Sequence, residues 1–130
     1  MIFLILMKYH FFQKPNCRMA YPMQNHNHGL CLIINNEKFE KYKPRAGSSE
    51  DVTRLRQLFE ELGFTVIIKK DLTINETEKV LNNFVKKDDH KKAEMCVVIV
   101  MSHGEEECFQ TTDGRPVILL LLLSCLSNEF

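Results

Sequence analysis

The chain contains 130 residues, which is enough for one domain of ordinary size. Seventeen Lys and Arg residues balance seventeen Asp and Glu residues, so net charge supports neither a nucleic-acid partner nor a membrane-surface partner. Apolar residues make up 45% and charged residues 26%, which fits a packed globular domain and excludes disordered, collagen-like and coiled-coil chains.

Apolar runs occur at both ends of the chain. No positive charge precedes Ile2–Met7 and no small-residue cleavage pattern follows it, so the run makes a poor signal peptide. Val117–Leu123 is much shorter than the roughly 20 residues that a membrane-spanning helix needs. We therefore expect neither end to be a membrane anchor. The five cysteines are scattered without a C-x-x-C pair, which favours a reducing, cytoplasmic compartment.

The first predicted strand is the apolar run Leu30–Ile34, which ends at two asparagines and should be buried on both faces. A helix follows, in which Ser48 and Asp51 resemble a capping pair and Gly63 a C-terminal stop. Its predicted apolar face, at steps of three and four residues, consists of Val52, Leu55, Leu58, Phe59 and Leu62.

The second half of the pattern repeats this order. β-Branched residues mark Phe64–Ile68 as a strand, and Thr73 to Glu76 form a capping box for a second helix. The mixed-charge segment Lys86–Lys92 is expected to be a solvated loop. Met95–Met101 has no polar alternation and is therefore predicted to be a central strand. The apolar face of the second helix is predicted to contain Ile74, Val80, Leu81, Phe84 and Val85.

This β-α-β-α-β order predicts an α/β fold with parallel strands and right-handed crossovers. We expect a three-layer α/β/α sandwich around a partial, mostly parallel sheet, with the second, first and third predicted strands side by side. Three strands are few for such a fold, so the third is predicted to present an exposed apolar edge. Our hypothesis is that Val117–Leu123, or a strand of a partner chain, pairs with this edge.

Candidate chemical groups follow the first and third predicted strands, at the carboxyl ends where ligands gather in parallel sheets. The guanidinium of Arg45 suits recognition of a carboxylate. The imidazole of His103 can act as a general base near neutral pH, and the backbone N–H of Gly104 can face a developing oxyanion. By position alone, however, a histidine such as His103 is more often an ordinary loop residue, and an arginine such as Arg45 is usually a surface residue.

Several sequence blocks occur in a fixed order between Tyr21 and Pro116. They are GLCLIINN at 29–36, RAG at 45–47, Asp51, Leu55, FEELGF at 59–64, DLT at 71–73 and MSHGEE at 101–106. Together these blocks resemble the large-subunit domain of a caspase, and Tyr21 and Met23 resemble its effector members. The resemblance divides the chain into an extension or short prodomain at 1–20, a partial large-subunit domain at 21–116 and an apolar tail outside the family pattern at 117–130.

Caspases are cysteine endopeptidases that cut after aspartate in programmed cell death, so the resemblance implies protein substrates with Asp at the cleavage site. It implies that His103 is the catalytic histidine and that Gly104 contributes its backbone N–H to the oxyanion hole. It further implies that Arg45 is one of the arginines that bind the substrate aspartate. A caspase small subunit or another caspase chain is the expected partner, in a dimer.

The catalytic nucleophile is not found among these residues. The caspase cysteine lies in a Q-A-C-x-G motif about 50 residues after the histidine, and no such motif occurs in the chain. Cys96 is expected inside a strand, Cys108 in a loop that leads away from His103, and Cys125 in the tail, so none is a good substitute. We therefore expect no peptidase activity from this chain alone.

Two other functions stay open. One is a non-enzymatic, caspase-like decoy or regulator that binds a full-length caspase through the open sheet edge. The other is a flavodoxin-like ligand-binding domain, although no loop after a strand is rich in glycine as phosphate binding requires. No metal or other cofactor is expected, because the cluster of Cys17, His26, His28 and Cys31 falls across a loop and a buried strand.

Overall fold

The computed structural model describes residues 2–8, 28–93 and 95–118. Its larger sheet has four strands in the order β1-β4-β2-β3. Their bounds are Ile2–Lys8 for β1, Gly29–Asn35 for β2, Phe64–Lys70 for β3 and Met95–Met101 for β4. Because β2 pairs in parallel with both β3 and β4, the predicted order of the three central strands and the mostly parallel sheet are confirmed.

Two helices cover opposite faces of this sheet, and they are α1 (Ser48–Glu61) and α2 (Ile74–Val85). Alternate side chains of β2 and β4 point to the two faces. Leu32 and Val98 lie in one apolar cluster with Phe84 of α2. On the other face, Ile33 and Ile99 lie in a second cluster, against which Val52, Leu55 and Phe59 of α1 pack. The predicted three-layer α/β/α sandwich is thus confirmed.

The beginning of α1 differs from the prediction. Its N-cap is Gly47, with a φ of 79° and no side-chain capping bond, so the predicted Ser48 cap is wrong. Ser48 is buried, and its Oγ accepts a hydrogen bond of 3.3 Å from the side-chain amide of Asn35. The predicted apolar face is also too wide, because Leu58 and Leu62 are 48% and 50% exposed.

The second helix begins as predicted. The Thr73 hydroxyl accepts from the backbone N–H of Glu76, whose carboxylate accepts from the backbone N–H of Thr73. The following mixed-charge segment was expected to be a solvated loop, which is wrong at its centre. A 3₁₀ helix at Asp88–Lys92 buries His90, and the His90 Nε2 lies 2.7 Å from the Phe84 carbonyl.

The edge of β4 is occupied by β1. The two strands pair antiparallel from Ile2 opposite Met101 to Lys8 opposite Met95. The hypothesis that Val117–Leu123 pairs with this edge is therefore wrong for the described part of that segment, since β7 (Pro116–Ile118) pairs elsewhere. Residues 119–123 lie outside the described residues.

A second, smaller sheet follows β4 directly. It consists of β5 (Gly104–Glu105), β6 (Cys108–Gln110) and β7 in antiparallel pairing. Because β5 follows β4 directly, the small sheet begins beside the carboxyl ends of the parallel strands, where the predicted site residues lie.

In the described parts of the chain, no helix has the length and apolar character needed to cross a membrane.

Candidate active site

The carboxyl ends of β2 and β4 are joined side by side. The backbone N–H of Asn36, immediately after β2, donates a 2.8 Å hydrogen bond to the carbonyl of Met101 at the end of β4. The chain after Asn36 forms a loop that reaches Ala46, before α1 begins. This loop contains Arg45 and contacts His103, so it connects both predicted side chains to the same edge of the sheet.

The imidazole of His103 is oriented by this loop. Its Nε2 lies 2.8 Å from the backbone carbonyl of Lys43. Its ring packs against Phe39 and Tyr42, at centroid distances of 4.7 and 5.5 Å. Because a carbonyl oxygen can only accept a hydrogen bond, this contact assigns the proton to Nε2 and leaves the lone pair of the neutral ring on Nδ1. Nδ1 is therefore the nitrogen that can take up a proton.

Arg45 is held by the end of β2. Its Nη1 donates hydrogen bonds of 3.0 Å to the side-chain oxygen of Asn35 and 3.1 Å to the carbonyl of Asn36. Burial lowers the pKa of the guanidinium from its ordinary value, while the negative charges of Asp51 and Glu37 raise it. An arginine remains charged under such influences. Both described bonds involve Nη1, so Nε and Nη2 can offer a two-pronged contact to a carboxylate.

The side chain of Asn36 ties three elements together beneath the site. It is fully buried, its Nδ2 donates a 3.1 Å hydrogen bond to the carbonyl of Gln110, and its Oδ1 accepts one of 3.0 Å from the backbone N–H of Leu72. The Ser102 hydroxyl donates to the same Gln110 carbonyl at 2.7 Å. These bonds connect β2, β6 and the segment after β3, so they fix the base from which His103 projects.

The first residues of the loop are fixed by Asp71, which follows β3. Its carboxylate accepts hydrogen bonds of 2.7 and 3.0 Å from the backbone N–H groups of Glu37 and Lys38. Glu37 also forms a 3.1 Å ion pair with Lys70, and this contact holds the pKa of the Glu37 carboxyl below its ordinary value. The loop is thereby attached to β3 as well as to β2 and β4.

Gly104 follows His103 and opens the small sheet. It lies opposite Phe109 of β6, and a Cβ atom at this position would come within 2.3 Å of the carbonyl oxygen of Cys108. The close approach of β5 and β6 thus requires a glycine here for packing alone. The oxyanion role of Gly104 stays a prediction.

Two of the described cysteines are buried, and the third lies in a strand where the sequence predicted a loop. Cys31 and Cys96 are buried inside strands, and burial raises the pKa of the Cys31 thiol to about 12, so that it remains protonated. Cys108 is partly exposed in β6. Cys17, Cys125 and His26 lie outside the described residues. Within residues 28–93 and 95–118, no group of three His, Cys, Asp or Glu residues is arranged to hold a metal ion.

Sequence reasoning missed the groups that orient His103. The Lys43 carbonyl has no sequence signal, because every residue type presents the same backbone oxygen. Phe39 and Tyr42 were a usable signal, since two aromatic residues in a charged loop are unusual for a purely solvated segment. The role of Asn36 as a buried link has no local sequence signal, because its partners Gln110 and Leu72 are distant from it along the chain.

Comparison with known proteins identifies the family of this chain. A family model for the caspase domain matches residues 28–129. The chain is 36% identical to Caspase-3 of Mesocricetus auratus and 37% identical to Caspase-3 of Bos taurus, each over 114 residues that cover 85% of this chain. It is 34% identical to Caspase-2 of Gallus gallus over 107 residues, or 80% of this chain.

The chain spans only part of these relatives. The matched regions cover 40% and 41% of the two Caspase-3 proteins and 25% of Caspase-2. The family model nevertheless matches most of this chain, including both joined strand ends, the loop between Asn36 and Ala46, and His103. The chain therefore belongs to the caspase family.

Proposed function

We propose that this chain supplies the base and the aspartate-binding group of a cysteine endopeptidase that cuts proteins after Asp. The single observation that supports this function best is the loop from Asn36 to Ala46. It contacts the His103 imidazole through the Lys43 carbonyl and contains Arg45, and the presence of both groups at one edge of the sheet supports the roles of base and aspartate-binding group.

The proton transfer follows from the orientation of His103. Nδ1 accepts the proton of a cysteine thiol, and the resulting thiolate attacks the substrate carbonyl. The imidazolium then has a proton on each nitrogen, and the Nε2 proton continues to point at the Lys43 carbonyl. Nδ1 returns its proton to the leaving amine, which regenerates the neutral ring. The thiol comes from residues outside these 130, because no Q-A-C-x-G motif occurs among them.

The preference for aspartate rests on Arg45. Its guanidinium is anchored at Nη1 by Asn35 and Asn36, so its remaining donors have a defined direction. A carboxylate with a short side chain can then form two parallel charge-assisted hydrogen bonds. Partial burial of the guanidinium strengthens this contact relative to one in bulk water.

A chimeric enzyme tests these roles. Residues 28–118 of this chain would replace the matching segment of Caspase-3 from Bos taurus, and cleavage of a fluorogenic peptide ending in Asp would be measured. We expect cleavage, and we expect His103→Ala to lower kcat by about 10²–10⁴-fold through loss of the general base. Arg45→Ala should lower kcat/KM for the Asp peptide by about 10²-fold, because charge-assisted hydrogen bonds are lost.

Arg54→Ala is the matched control, since Arg54 is an exposed arginine on α1. It should leave cleavage unchanged. A folded chimera with full activity after His103→Ala, or with equal losses for an Asp peptide and its Asn analogue after Arg45→Ala, would contradict the proposed roles. The 130-residue chain without a partner should cleave nothing above background.

Partners and compartment belong to the same proposal. A caspase small subunit or a second caspase chain would complete the site, and the reducing cytoplasm would keep its thiol active. The alternative function is a non-enzymatic regulator that binds a full-length caspase. This function requires an open edge on β4, and β1 occupies that edge in the structure. A pull-down with full-length Caspase-3 before and after removal of residues 1–8 would distinguish the two functions.

A further inference from the structure

The apolar surface of α1 is wider than the sheet covers. Val52, Leu55 and Phe59 pack against the sheet, whereas Leu58 and Leu62 are 48% and 50% exposed. Leu55, Leu58 and Leu62 follow one another at steps of three and four residues, so they form one continuous row along the side of the helix. We call these three residues the leucine stripe. A contiguous exposed apolar surface, unlike a single exposed leucine, is typical of a contact with another molecule.

The charges beside the leucine stripe have opposite signs at its two ends. Arg54 lies four residues before Leu58, Glu61 lies three residues after it, and both are exposed. With 3.6 residues per turn, Arg54 and Glu61 lie on one flank of the helix, about 40° and 60° from the direction of Leu58. Leu55 and Leu62 lie on the other flank, at about 60° and 40°. The side of α1 therefore has one charged flank and one apolar flank.

This arrangement is complementary to itself. When two such helices pack antiparallel about a twofold axis at Leu58, residues that share a flank and lie at similar distances from the axis come together. Arg54 then meets Glu61 of the second copy, because their distances from Leu58 along the helix differ by only one residue, or about 1.5 Å. Leu55 meets Leu62 of the second copy on the other flank for the same reason. Each contact occurs twice in the pair.

We propose that the leucine stripe, together with Arg54 and Glu61, is a docking surface for α1 of a second copy of this chain. The leucines bury apolar surface around the axis, and the two Arg54–Glu61 ion pairs set the antiparallel direction. Parallel packing is disfavoured, because each charged flank would then lie against the apolar flank of the second copy. A pair of single helices buries less than the roughly 1,200 Å² of a standard interface, so the dimer is weak and forms at high protein concentration.

The docking surface is separate from the candidate active site. The helix begins at Ser48, whose hydroxyl bonds to Asn35 at the carboxyl end of β2, and it ends at Glu61, before β3 begins. Antiparallel helices therefore place the two candidate sites at opposite ends of the dimer. The proposal goes beyond the peptidase function and does not depend on it. At the nanomolar concentrations of a cleavage assay the weak dimer is not formed, so Arg54→Ala remains a suitable control there.

Charge reversal tests the pairing in the 130-residue chain. Sedimentation equilibrium from about 10 µM to 1 mM should show a dimer with a Kd on the order of 100 µM. Arg54→Glu and Glu61→Arg should each raise that Kd about tenfold, because two attractive contacts become repulsive. The double variant Arg54→Glu/Glu61→Arg restores both contacts with their signs exchanged, so its Kd should return to within about threefold of the original value.

Two matched controls separate the docking surface from the rest of α1. Arg56→Glu changes the net charge as Arg54→Glu does, but Arg56 pairs with Glu60 of its own helix and should leave the Kd within about threefold. Leu58→Lys places two ammonium groups at the axis and should raise the Kd at least about 100-fold. Gln57→Lys is its control, because Gln57 is exposed about 100° away around the helix and should not change the Kd.

All five substituted positions are exposed, and circular dichroism checks that each variant is folded. A chain that stays monomeric throughout this concentration range would overturn the proposal. A dimer that is unaffected by Leu58→Lys would overturn it as well, because the contact would then lie on another surface. A double variant that associates no more tightly than the single reversals would refute the antiparallel pairing of Arg54 with Glu61. None of these readouts involves peptide cleavage, so failure of the peptidase function would leave their outcome unaffected.

Discussion

The buried amide of Asn36 permits a sharp test of how the site is held in place. Asn36→Asp keeps the shape of the side chain but replaces its Nδ2 donor by a second acceptor. The Leu72 N–H can still donate to one carboxylate oxygen, whereas the Gln110 carbonyl then faces the other. Asn35→Asp is the matched control, because its Oδ1 already accepts from the Arg45 guanidinium, whose positive charge offsets the charge of the new carboxylate.

The expected difference follows from these partners. Asn36→Asp loses the hydrogen bonds that Nδ2 donates to the Gln110 carbonyl and to the Ser102 hydroxyl, and it places a buried negative charge against that carbonyl, which should lower the free energy of unfolding by about 2–4 kcal/mol at pH 7. Asn35→Asp gains a charge-assisted partner in Arg45 and should change that free energy by less than about 1 kcal/mol. Burial raises the pKa of a carboxyl group at position 36 above that of an unfolded aspartate, so the loss should diminish as the pH falls towards about 4.

Urea unfolding of the 130-residue chain, followed by circular dichroism between pH 4 and pH 8, measures both variants under the same conditions. All other carboxyl groups change the free energy of unfolding of both variants equally. Subtracting one variant's free energy from the other's at each pH therefore cancels their contribution. Equal stability of the two variants at pH 7 would refute the role assigned to the Asn36 amide. A difference that stays constant down to pH 4 would refute the assignment of the loss to a buried negative charge.

Three further predictions concern packing and titration. Gly104→Ala should lower stability in thermal unfolding by about 3 kcal/mol or more, because its Cβ would overlap the Cys108 carbonyl. Gly47→Ala, whose Cβ meets no atom within 4 Å, should lose only about 1–2 kcal/mol, because alanine disfavours the left-handed backbone; equal losses would contradict this. Burial lowers the pKa of His90 below its ordinary 6.5, so the neutral form is favoured in the fold. The melting temperature should therefore fall as the pH drops below about 6.5, and His90→Leu should reduce that slope. Iodoacetamide at pH 8 should label Cys108 before Cys31, because burial raises the pKa of Cys31 to about 12, and equal labelling by mass spectrometry would refute this.

Much of the central sheet could be predicted from local pattern. The predicted bounds of the strand Met95–Met101 are correct to the residue. A continuous apolar run flanked by charged segments is stable only in a strand whose two faces are both covered by other elements. The capping box of Thr73 and Glu76 was also correct, since both of its hydrogen bonds are local. The Ser48 cap failed for the opposite reason: its hydroxyl was taken up by Asn35, a partner on a neighbouring strand that a local pattern does not reveal.

The sequence by itself determined the α/β order, the two buried strands and the family blocks that point to Arg45 and His103. These features depend on residue type and spacing within short segments, and such information is complete in the linear chain. Tertiary structure alone decided that the Lys43 carbonyl orients His103, that Asn36 links three elements, and that Ile2–Lys8 lies along β4. Each of these depends on backbone groups or on residues distant in sequence. Backbone donors and acceptors are the same in nearly every residue, so only their positions in space determine which of them meet.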